Sequence, residues 1–357
     1  MRYKKILITG GAGFVGSNLC LKFKKKYPET KILALDNLKR RGSELNIPRL
    51  KQNKIEFIHG DIRDKEDFEG IEKFDLLIEC SAEPSVLAGI NSSPSYVINT
   101  NLIGAINCLE EARKNKADFV FLSTSRVYPI ELINQLNFQE KATRFTLLEN
   151  QKIRGASHKG ISENFPLDKP RSIYGSTKLA AELFVQEYIQ NYNLKGIINR
   201  CGLITGPWQM GKIDQGVIVL WAARHYFGGQ LSYIGYGGQG KQVRDFIHID
   251  DLFDILDIQL KDIEKYNAEI FNIGGGIKNS LSLLELTRLC QKISANKIKI
   301  NSVKETRPAD LRFYISDCEK IKKLADWEPK KNAQKTLEDI FLWIEKNEKQ
   351  LKPILTN

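Results

Sequence analysis

The chain has 357 residues, a formal net charge of +11, 42% hydrophobic residues and 27% charged residues. This composition is ordinary for a globular protein that is long enough for two domains. No apolar run approaches the roughly 20 residues of a membrane span, and the lysines are scattered rather than grouped in a stripe, so we expect neither a membrane nor a nucleic-acid partner.

Six cysteines lie far apart in the sequence, at positions 20, 80, 108, 201, 290 and 318. They form no CxxC pair and no metal-ligand spacing, so we expect reduced thiols, no bound metal and a cytoplasmic location. The stretch MRYKKILITGG has a short apolar run that leads into glycines, which is unlike a secretory signal.

The first half of the chain alternates apolar strands with helical stretches. Strands are predicted at 4–9, 31–36, 55–61, 74–80, 118–125 and 194–204. Helices are predicted at 14–26 and 95–115, and a third begins near Tyr174. Such alternation is typical of parallel βαβ units, so the sequence predicts an α/β fold with a doubly wound Rossmann parallel sheet.

The pattern loosens beyond residue 204, where glycine-rich loops alternate with predicted helices at 282–293 and 335–347. This part of the chain favours a smaller C-terminal α/β domain. We therefore predict a first domain over 1–203, to which 243–273 returns, interleaved with a second domain over 204–357.

The glycine run GGAGFVG follows the first strand and opens the first helix. Gly10 permits a tight turn, Gly13 allows a pyrophosphate to approach the backbone, and Gly16 allows the helix to pack closely on the strand. Asp36 ends the second strand 20 residues later, where a carboxylate accepts hydrogen bonds from adenosine ribose hydroxyls. The combination predicts a dinucleotide site, and Asp36 favours NAD over NADP although Arg40 and Arg41 follow it.

Two other glycine runs have different interpretations. GYGGQGK at 235–241 nearly matches a P-loop, but Gln242 stands where a magnesium-binding Ser or Thr is required, and QVRDFIHI then alternates like a strand. NIGGG at 272–276 has no acidic partner and is predicted to be a turn.

Tyr174 and Lys178 are four residues apart at the start of a predicted helix, so their side chains share one face. The spacing alone means little, because Tyr27 and Lys31 repeat it in a turn-like setting with Pro28. A lysine ammonium and a nicotinamide cation would lower the pKa of a tyrosine and favour its phenolate. The preceding strand ends in hydroxyl residues, so a proton-transfer site is predicted there.

The whole set of motifs resembles the extended short-chain dehydrogenase/reductase family, which acts on nucleotide sugars. It comprises GGAGFVG, Asp36, GDIRD (60–64), NTNLIGA (99–105), STSRVY (123–128), YGSTK and RDFIHIDDL (244–252). The resemblance implies Thr124, Tyr174 and Lys178 as catalytic residues. It also implies NAD contacts from Gly10, Gly13, Phe14, Val15, Gly16, Asp36, Asn37, Asp61, Ile62, Ser81, Ala82, Asn101, Tyr174 and Lys178.

Three residues separate the chain from other branches of that family. Ser125 and Arg126 stand where sugar 4,6-dehydratases carry Asp-Glu, and Leu203 stands where UDP-sugar 4-epimerases usually have asparagine. The chain is most similar to the CDP-paratose 2-epimerase subfamily through DQG (214–216), GKQVRD (240–245), FNIGG, NSLSLLEL and PADLR. The insert at 129–172 matches that subfamily only loosely.

The resemblance therefore implies epimerisation at C2 of a CDP-deoxyhexose through a transient ketone. Three alternatives remain open: a UDP- or CDP-sugar 4-epimerase, a net dehydrogenase, and a catalytically silent NAD-sensing protein.

The same resemblance implies a second domain that binds the nucleotide-diphosphate sugar. Arg244 and Arg307 are expected on the diphosphate, since arginine can fork onto phosphate oxygens, and Asp310 is expected near the nucleotide ribose. Thr124 is expected to contact the sugar as well, and weaker candidates for sugar or phosphate contacts are Ser85, Arg144, Gln215 and Gln242. His248 is expected to pack in the core, and a homodimer or homotetramer is expected.

Overall fold

The structure is a computed structural model and describes residues 2–90, 92–212 and 215–356. The chain divides into two compact units, each formed from three stretches of sequence. The first unit comprises residues 1–127, 173–200 and 253–271, and the second comprises 128–172, 201–252 and 272–357.

The strands are short and follow the predicted order in the first half of the chain. They are β1 (Lys5–Thr9), β2 (Lys31–Asp36), β3 (Glu56–His59), β4 (Leu76–Glu79), β5 (Asp118–Thr124), β6 (Phe138–Glu140), β7 (Phe145–Leu147), β8 (Ala156–Ser157), β9 (Gly160–Ile161), β10 (Gly196–Cys201), β11 (Leu203–Thr205), β12 (Gln230–Ile234), β13 (Val243–His248), β14 (Ile270–Ile273), β15 (Ser280–Ser282), β16 (Lys299–Val303) and β17 (Phe313–Tyr314).

The helices are α1 (Phe14–Lys26), α2 (Asn46–Gln52), α3 (Ser95–Ile98), α4 (Gly104–Asn115), α5 (Ile130–Asn134), α6 (Ile173–Tyr192), α7 (Val217–Phe227), α8 (Ile249–Lys261), α9 (Ile263–Tyr266), α10 (Leu283–Ser294), α11 (Glu319–Ala325), α12 (Ala333–Lys346) and α13 (Glu348–Leu355). Within the described residues, no helix is both long enough and apolar enough to cross a bilayer.

A seven-stranded sheet has the strand order β14-β10-β5-β4-β1-β2-β3. The pairs among β1, β2, β3, β4 and β5 are parallel, with Ile6 opposite Ile32 on one side and Leu76 on the other. The central strands are buried on both faces, which is typical of a parallel sheet covered by helices. The predicted doubly wound Rossmann fold is confirmed.

Helices α4 and α6 pack on each other and on this sheet. Ala105, Leu109, Ala181 and Val185 from these helices join a buried cluster with the inward side chains of the strands, among them Phe121. The burial of this apolar surface stabilises the layer by about 25 cal/mol per Å². The core therefore holds α6, and with it Tyr174 and Lys178, against the end of β5.

The second unit contains a smaller sheet in which β13 pairs with β11, β15 and β17. The unit also contains the pair β12–β16 and the hairpins β6–β7 and β8–β9. The apolar stretch at 194–204, predicted as one strand, is two strands, because β10 joins the seven-stranded sheet and β11 pairs with β13.

The units differ from the predicted domain boundaries in two places. Residues 128–172, which contain the insert, belong to the second unit, since Phe145 bonds to the backbone of Lys241 and Ile161 to that of Ile315. The segment that returns to the first unit is 253–271 rather than 243–273, because β13 is paired within the second unit.

The second glycine run has the predicted shape, but the third has it only in part, because Asn272 and Ile273 lie in β14 and the amide of Gly276 donates to the carboxylate of Asp245. Residues 236–238 form a short 3₁₀ turn, and the chain then enters β13, so no helix follows as it would in a P-loop. Residues 274–279 form a turn after β14.

Candidate active site

The order of the seven-stranded sheet reverses between β1 and β4, which are neighbours although they are not consecutive in the chain. Ligands of open parallel sheets bind beyond the carboxyl ends of the strands at such a switch point. The glycine turn follows β1, and Ser81 and Ala82 follow β4. The topology therefore brings together two segments that the sequence analysis selected separately.

Three glycines allow this turn to be as tight as it is. Gly10 has φ +62°, and a Cβ added there would lie 2.9 Å from the carbonyl oxygen of Cys80. A Cβ on Gly16 would overlap the carbonyl of Gly10, lying 2.7 Å from its carbon. Gly13 precedes α1, and no side chain caps that helix end. Because the first amides of a helix attract anions, the turn fits the diphosphate of a dinucleotide; Phe14 and Val15 begin the helix there.

Gly16→Ala is expected to lower the free energy of unfolding by about 1–3 kcal/mol, because its methyl group would strike the backbone of Gly10. Gly13→Ala is the matched control, since its Cβ would lie 3.1 Å from the oxygen of Gly10 and its φ is an ordinary −68°. Both variants are expected to weaken NAD binding in calorimetric titrations. An unchanged denaturation midpoint for Gly16→Ala would contradict the steric argument.

Asp36 lies at the end of β2 against the glycine turn. Its carboxylate accepts from the backbone amides of Ala12 and Gly13, both at 3.1 Å, and from that of Leu38 at 2.7 Å. Burial raises the pKa of Asp36, and these amide donors oppose the shift. The acid is therefore positioned by the turn itself, where the sequence analysis expected a ribose contact.

Asn37 donates to the carboxylate of Asp61 at 2.8 Å, so the ends of β2 and β3 are joined beside Asp36. Burial opposes ionisation of Asp61, but hydrogen bonds from Arg63 and Asn37 outweigh it and lower its pKa to about 2. Ile62 is buried against Gly104, where any Cβ would clash with its side chain. These residues form one corner of the first unit, and the contact with adenine that was expected of Asp61 and Ile62 stays a prediction.

Asn101 lies in a π-helical turn, Asn99–Ile103, that joins α3 to α4. Its side chain accepts from the amide of Glu83 at 2.8 Å and donates to the carbonyl of Glu83 at 3.1 Å. The amide of Ser85 in turn bonds to the Glu83 carboxylate. Asn101 therefore holds the loop after β4, and π turns are frequent at functional sites.

Thr124 is the last residue of β5, and its hydroxyl accepts from the amide of Arg126 at 3.2 Å. Tyr174 lies in the first turn of α6, which packs against β5 and against the 3₁₀ turn after it. Tyr174 and Lys178 are both buried. The helix and the strand thus bring the predicted tyrosine, lysine and threonine into one region of the first unit.

The other Tyr-Lys pair has no such arrangement. Tyr27 ends α1 and donates its hydroxyl to Asp257, whereas Lys31 begins β2 and pairs with Glu56 and Glu72. These two side chains therefore bind different acids, and the prediction that this copy of the spacing is not a site stays a prediction.

Two buried acids near Tyr174 were missed by the sequence analysis. Glu79, at the end of β4, lies 3.4 Å from the Nζ atom of Lys178. Glu182, one turn beyond Lys178 on α6, receives a fork of hydrogen bonds from Arg200 at 2.7–3.1 Å and a further bond from Ser123. A charged residue that ends an otherwise apolar strand, as Glu79 does in LLIE, was the available signal.

In the second unit, Arg244 and Asp310 form an ion pair at 2.9 Å. Arg244 also donates to the carbonyls of Val243 and Leu311. The amide of Asp310 bonds to the carbonyl of Arg307 at 3.3 Å, so the three predicted substrate residues lie together in one place. The guanidinium of Arg244 is thereby oriented before any ligand binds.

The weaker substrate candidates are more dispersed. Arg144 donates to Ser280 and faces Glu285, which forms the capping box of α10. Gln242 donates to the carbonyl of Ile234, and its buried Oε1 atom has no hydrogen-bond partner among the described residues. Gln215 forms a bridge with Lys212, while its neighbour in DQG, Asp214, lies outside the described residues. His248 is buried, as expected, with Nδ1 accepting from the amide of Asp250.

The chain is similar in sequence to known proteins over most of its length. The profile of the NAD dependent epimerase/dehydratase family matches residues 6–274. CDP-paratose 2-epimerase of Salmonella typhi is 30% identical over 347 residues, which cover 95% of this chain and 98% of that protein.

Solved structures are similar over nearly the whole chain. UDP-glucose 4-epimerase of Thermotoga maritima, solved with UDP-glucose, superposes with a TM-score of 0.77 at 26% identity and covers 96% of this chain and 99% of that one. dTDP-glucose 4,6-dehydratase of Bacillus anthracis, solved with NAD, gives a TM-score of 0.76 at 28% identity and covers 98% and 99%.

Proposed function

The chain belongs to the NAD dependent epimerase/dehydratase family and is an NAD-dependent enzyme of nucleotide-sugar metabolism, and we propose that it epimerises a CDP-deoxyhexose at C2. The proposed conversion is of the CDP-paratose to CDP-tyvelose type and proceeds through a transient ketone. The observation that carries it is the full-length similarity to CDP-paratose 2-epimerase of Salmonella typhi.

The residues after Thr124 support epimerisation over dehydration. A dehydratase needs an acid and a base to eliminate water, and Ser125 and Arg126 supply no carboxyl group. Leu203 likewise has no polar group to hold a nucleotide-sugar diphosphate in the manner of an ordinary 4-epimerase. These three residues therefore favour epimerisation at C2 over dehydration and over epimerisation at C4.

Tyr174 is the proposed base, and takes the proton of the sugar hydroxyl at the carbon that is oxidised. The hydroxyl of Thr124, at the end of β5, holds that sugar hydroxyl, and Lys178 stabilises the phenolate. NAD, which the glycine turn and Asp36 would hold, would supply the acceptor and donor of the hydride at this carbon. Tyr174 then gives the proton back, so the reaction has no net oxidation.

The substrate diphosphate is proposed to bind Arg244 and Arg307, with Asp310 near the nucleotide ribose. Arg244 supports this role because its ion pair with Asp310 and its bonds to two carbonyls orient the guanidinium in advance. A bidentate arginine contact needs such orientation to be strong. Ser85, Arg144, Gln215 and Gln242 are proposed as further contacts, and the expected homodimer or homotetramer and the cytoplasmic location stay predictions.

The test is incubation of the purified protein with a panel of CDP- and UDP-sugars, followed by NMR of the products. We expect inversion at C2 of a CDP-deoxyhexose, with turnover that needs no added NAD and no accumulation of NADH. Inversion at C4 would replace the proposal with the 4-epimerase alternative, and steady formation of NADH would indicate a dehydrogenase. NAD binding without conversion of any panel member would favour the silent NAD-sensing alternative.

A further inference from the structure

Glu79 is a buried acid for which the mechanism above has no use. It is the last residue of β4, directly before the loop that carries Ser81 and Ala82. Its carboxylate lies 3.4 Å from the Nζ atom of Lys178, and the two side chains expose only 1% and 3% of their surfaces. Two opposite charges have therefore been removed from water together, although 99 residues separate them in the sequence.

The surroundings of Lys178 provide little other compensation for its charge. The Nζ atom lies 4.0 Å from the centre of the Phe121 ring, whose face attracts a cation more weakly than a carboxylate does. From α4, the group that faces the pair is the thiol of Cys108, whose pKa burial raises well above its ordinary value. Glu182, the next acid on α6, is already bound to Arg200 and Ser123.

We propose that Glu79 is a positioning residue that keeps Lys178 protonated and holds its ammonium in place, and that it thereby sets the pH range over which Tyr174 acts as a base. The proposal rests on the proposed roles of Tyr174 and Lys178. It assigns a role to Glu79 on β4 and leaves the proposed hydride-transfer reaction unchanged.

The physical reason is the cost of burying a charged amine. Desolvation lowers the pKa of a buried lysine by up to several units, and a nearby carboxylate opposes that shift. Burial likewise raises the pKa of the Glu79 carboxyl, and Lys178 opposes that shift in turn. Each partner therefore stabilises the charged form of the other. The proposed role of Lys178 beside Tyr174 needs an ammonium that stays charged.

The decisive measurement is the pH dependence of kcat/KM for Glu79→Gln, which keeps the shape of the side chain and removes its charge. The alkaline limb of this pH profile is expected to move to lower pH by about one unit or more, because Lys178 then loses its proton more easily. One pH unit is a tenfold change in the protonation equilibrium. The acidic limb is also expected to move down, since the field of Lys178 on Tyr174 is no longer partly cancelled. A purely structural role would reduce activity or stability and leave both limbs where they are.

Two further variants control for folding. Glu79→Asp withdraws the carboxylate by about one methylene length and is expected to move the limbs in the same direction by less; it decides the question if Glu79→Gln does not fold. Asp257→Asn, which removes the partner of Lys26 in the same unit, is expected to leave both limbs unchanged. The proposal would be overturned if the pH profile of Glu79→Gln had both limbs at the wild-type pH. If Glu79→Gln does not fold, the same result for Glu79→Asp would overturn it.

NAD affinity against pH gives a second readout that does not need turnover. Glu79→Gln is expected to show a new fall in affinity above neutral pH, as Lys178 deprotonates. The double variant Glu79→Gln/Lys178→Arg is expected to lose this fall, because arginine stays charged. If no sugar is converted, the proposed function fails while this titration still tests the pair. A flat titration for Glu79→Gln would count against the proposal whatever the substrate.

Discussion

Tyr174→Phe is expected to lower kcat by about 10²–10⁴-fold, the usual contribution of a positioned acid–base group. Tyr174 is 8% exposed, so its ring packs in the core around α6. Because phenylalanine keeps that ring, the packing is expected to be preserved. The denaturation midpoint is therefore expected to stay close to that of the wild type, and NAD binding is expected to lose no more than one hydrogen bond, about 1 kcal/mol. Steady-state kinetics with the substrate found in the sugar panel would measure the effect.

The chain contains its own control for this experiment. Tyr27→Phe removes the hydroxyl from the other Tyr-Lys spacing and breaks only the contact with Asp257. Its kcat is expected to equal that of the wild type. Full activity of Tyr174→Phe would exclude the tyrosine as the base and with it the proposed mechanism.

Glu182→Gln is expected to lower the free energy of unfolding by about 3–5 kcal/mol, the cost of leaving a buried partner charge unpaired. The Glu182 carboxylate is fully buried and accepts a fork of bonds from Arg200, whose side chain is 3% exposed. It also accepts from Ser123, the residue before Thr124. Since these bonds join α6 to β5 and β10, the variant is also expected to lower kcat by loosening Tyr174 against Thr124.

Urea denaturation would measure this difference, and two variants complete the series. Glu110→Gln breaks a pair with Arg113 in which the side chains are 36% and 40% exposed, and a change of less than about 1 kcal/mol is expected. Glu182→Met/Arg200→Met removes both buried charges and is expected to recover most of the stability. A Glu182→Gln variant as stable as Glu110→Gln would show that the buried pair contributes little.

The sequence predicted the elements around the glycine turn closely, because local rules govern them. The glycine turn, α1 over Phe14–Lys26 and β2 over Lys31–Asp36 depend on neighbours within a few residues, and each lies where the pattern indicated. The spacing of Tyr174 and Lys178 likewise needed only the period of a helix, which α6 supplies.

Other features depended on the fold and could not be predicted from the spacing of residues. The 129–172 insert was predicted as part of the first domain because it stands between two of its strands, yet its hydrogen bonds to Lys241 and Ile315 group it with the second unit. The stretch 194–204 was predicted as one strand, and it divides because its two halves pair in different sheets.

The sequence by itself determined the fold class, the glycine turn and the residues with the chemistry for proton transfer, since these follow from patterns that span one or two elements. Only the tertiary structure decided which charges lie together: Glu79 with Lys178 and Glu182 with Arg200, which are buried, and Arg244 with Asp310, which is partly buried. Partners in these pairs are 18 to 99 residues apart. They meet because in each pair a helix or a loop packs against a strand, and in the two buried pairs each charge then depends on its partner.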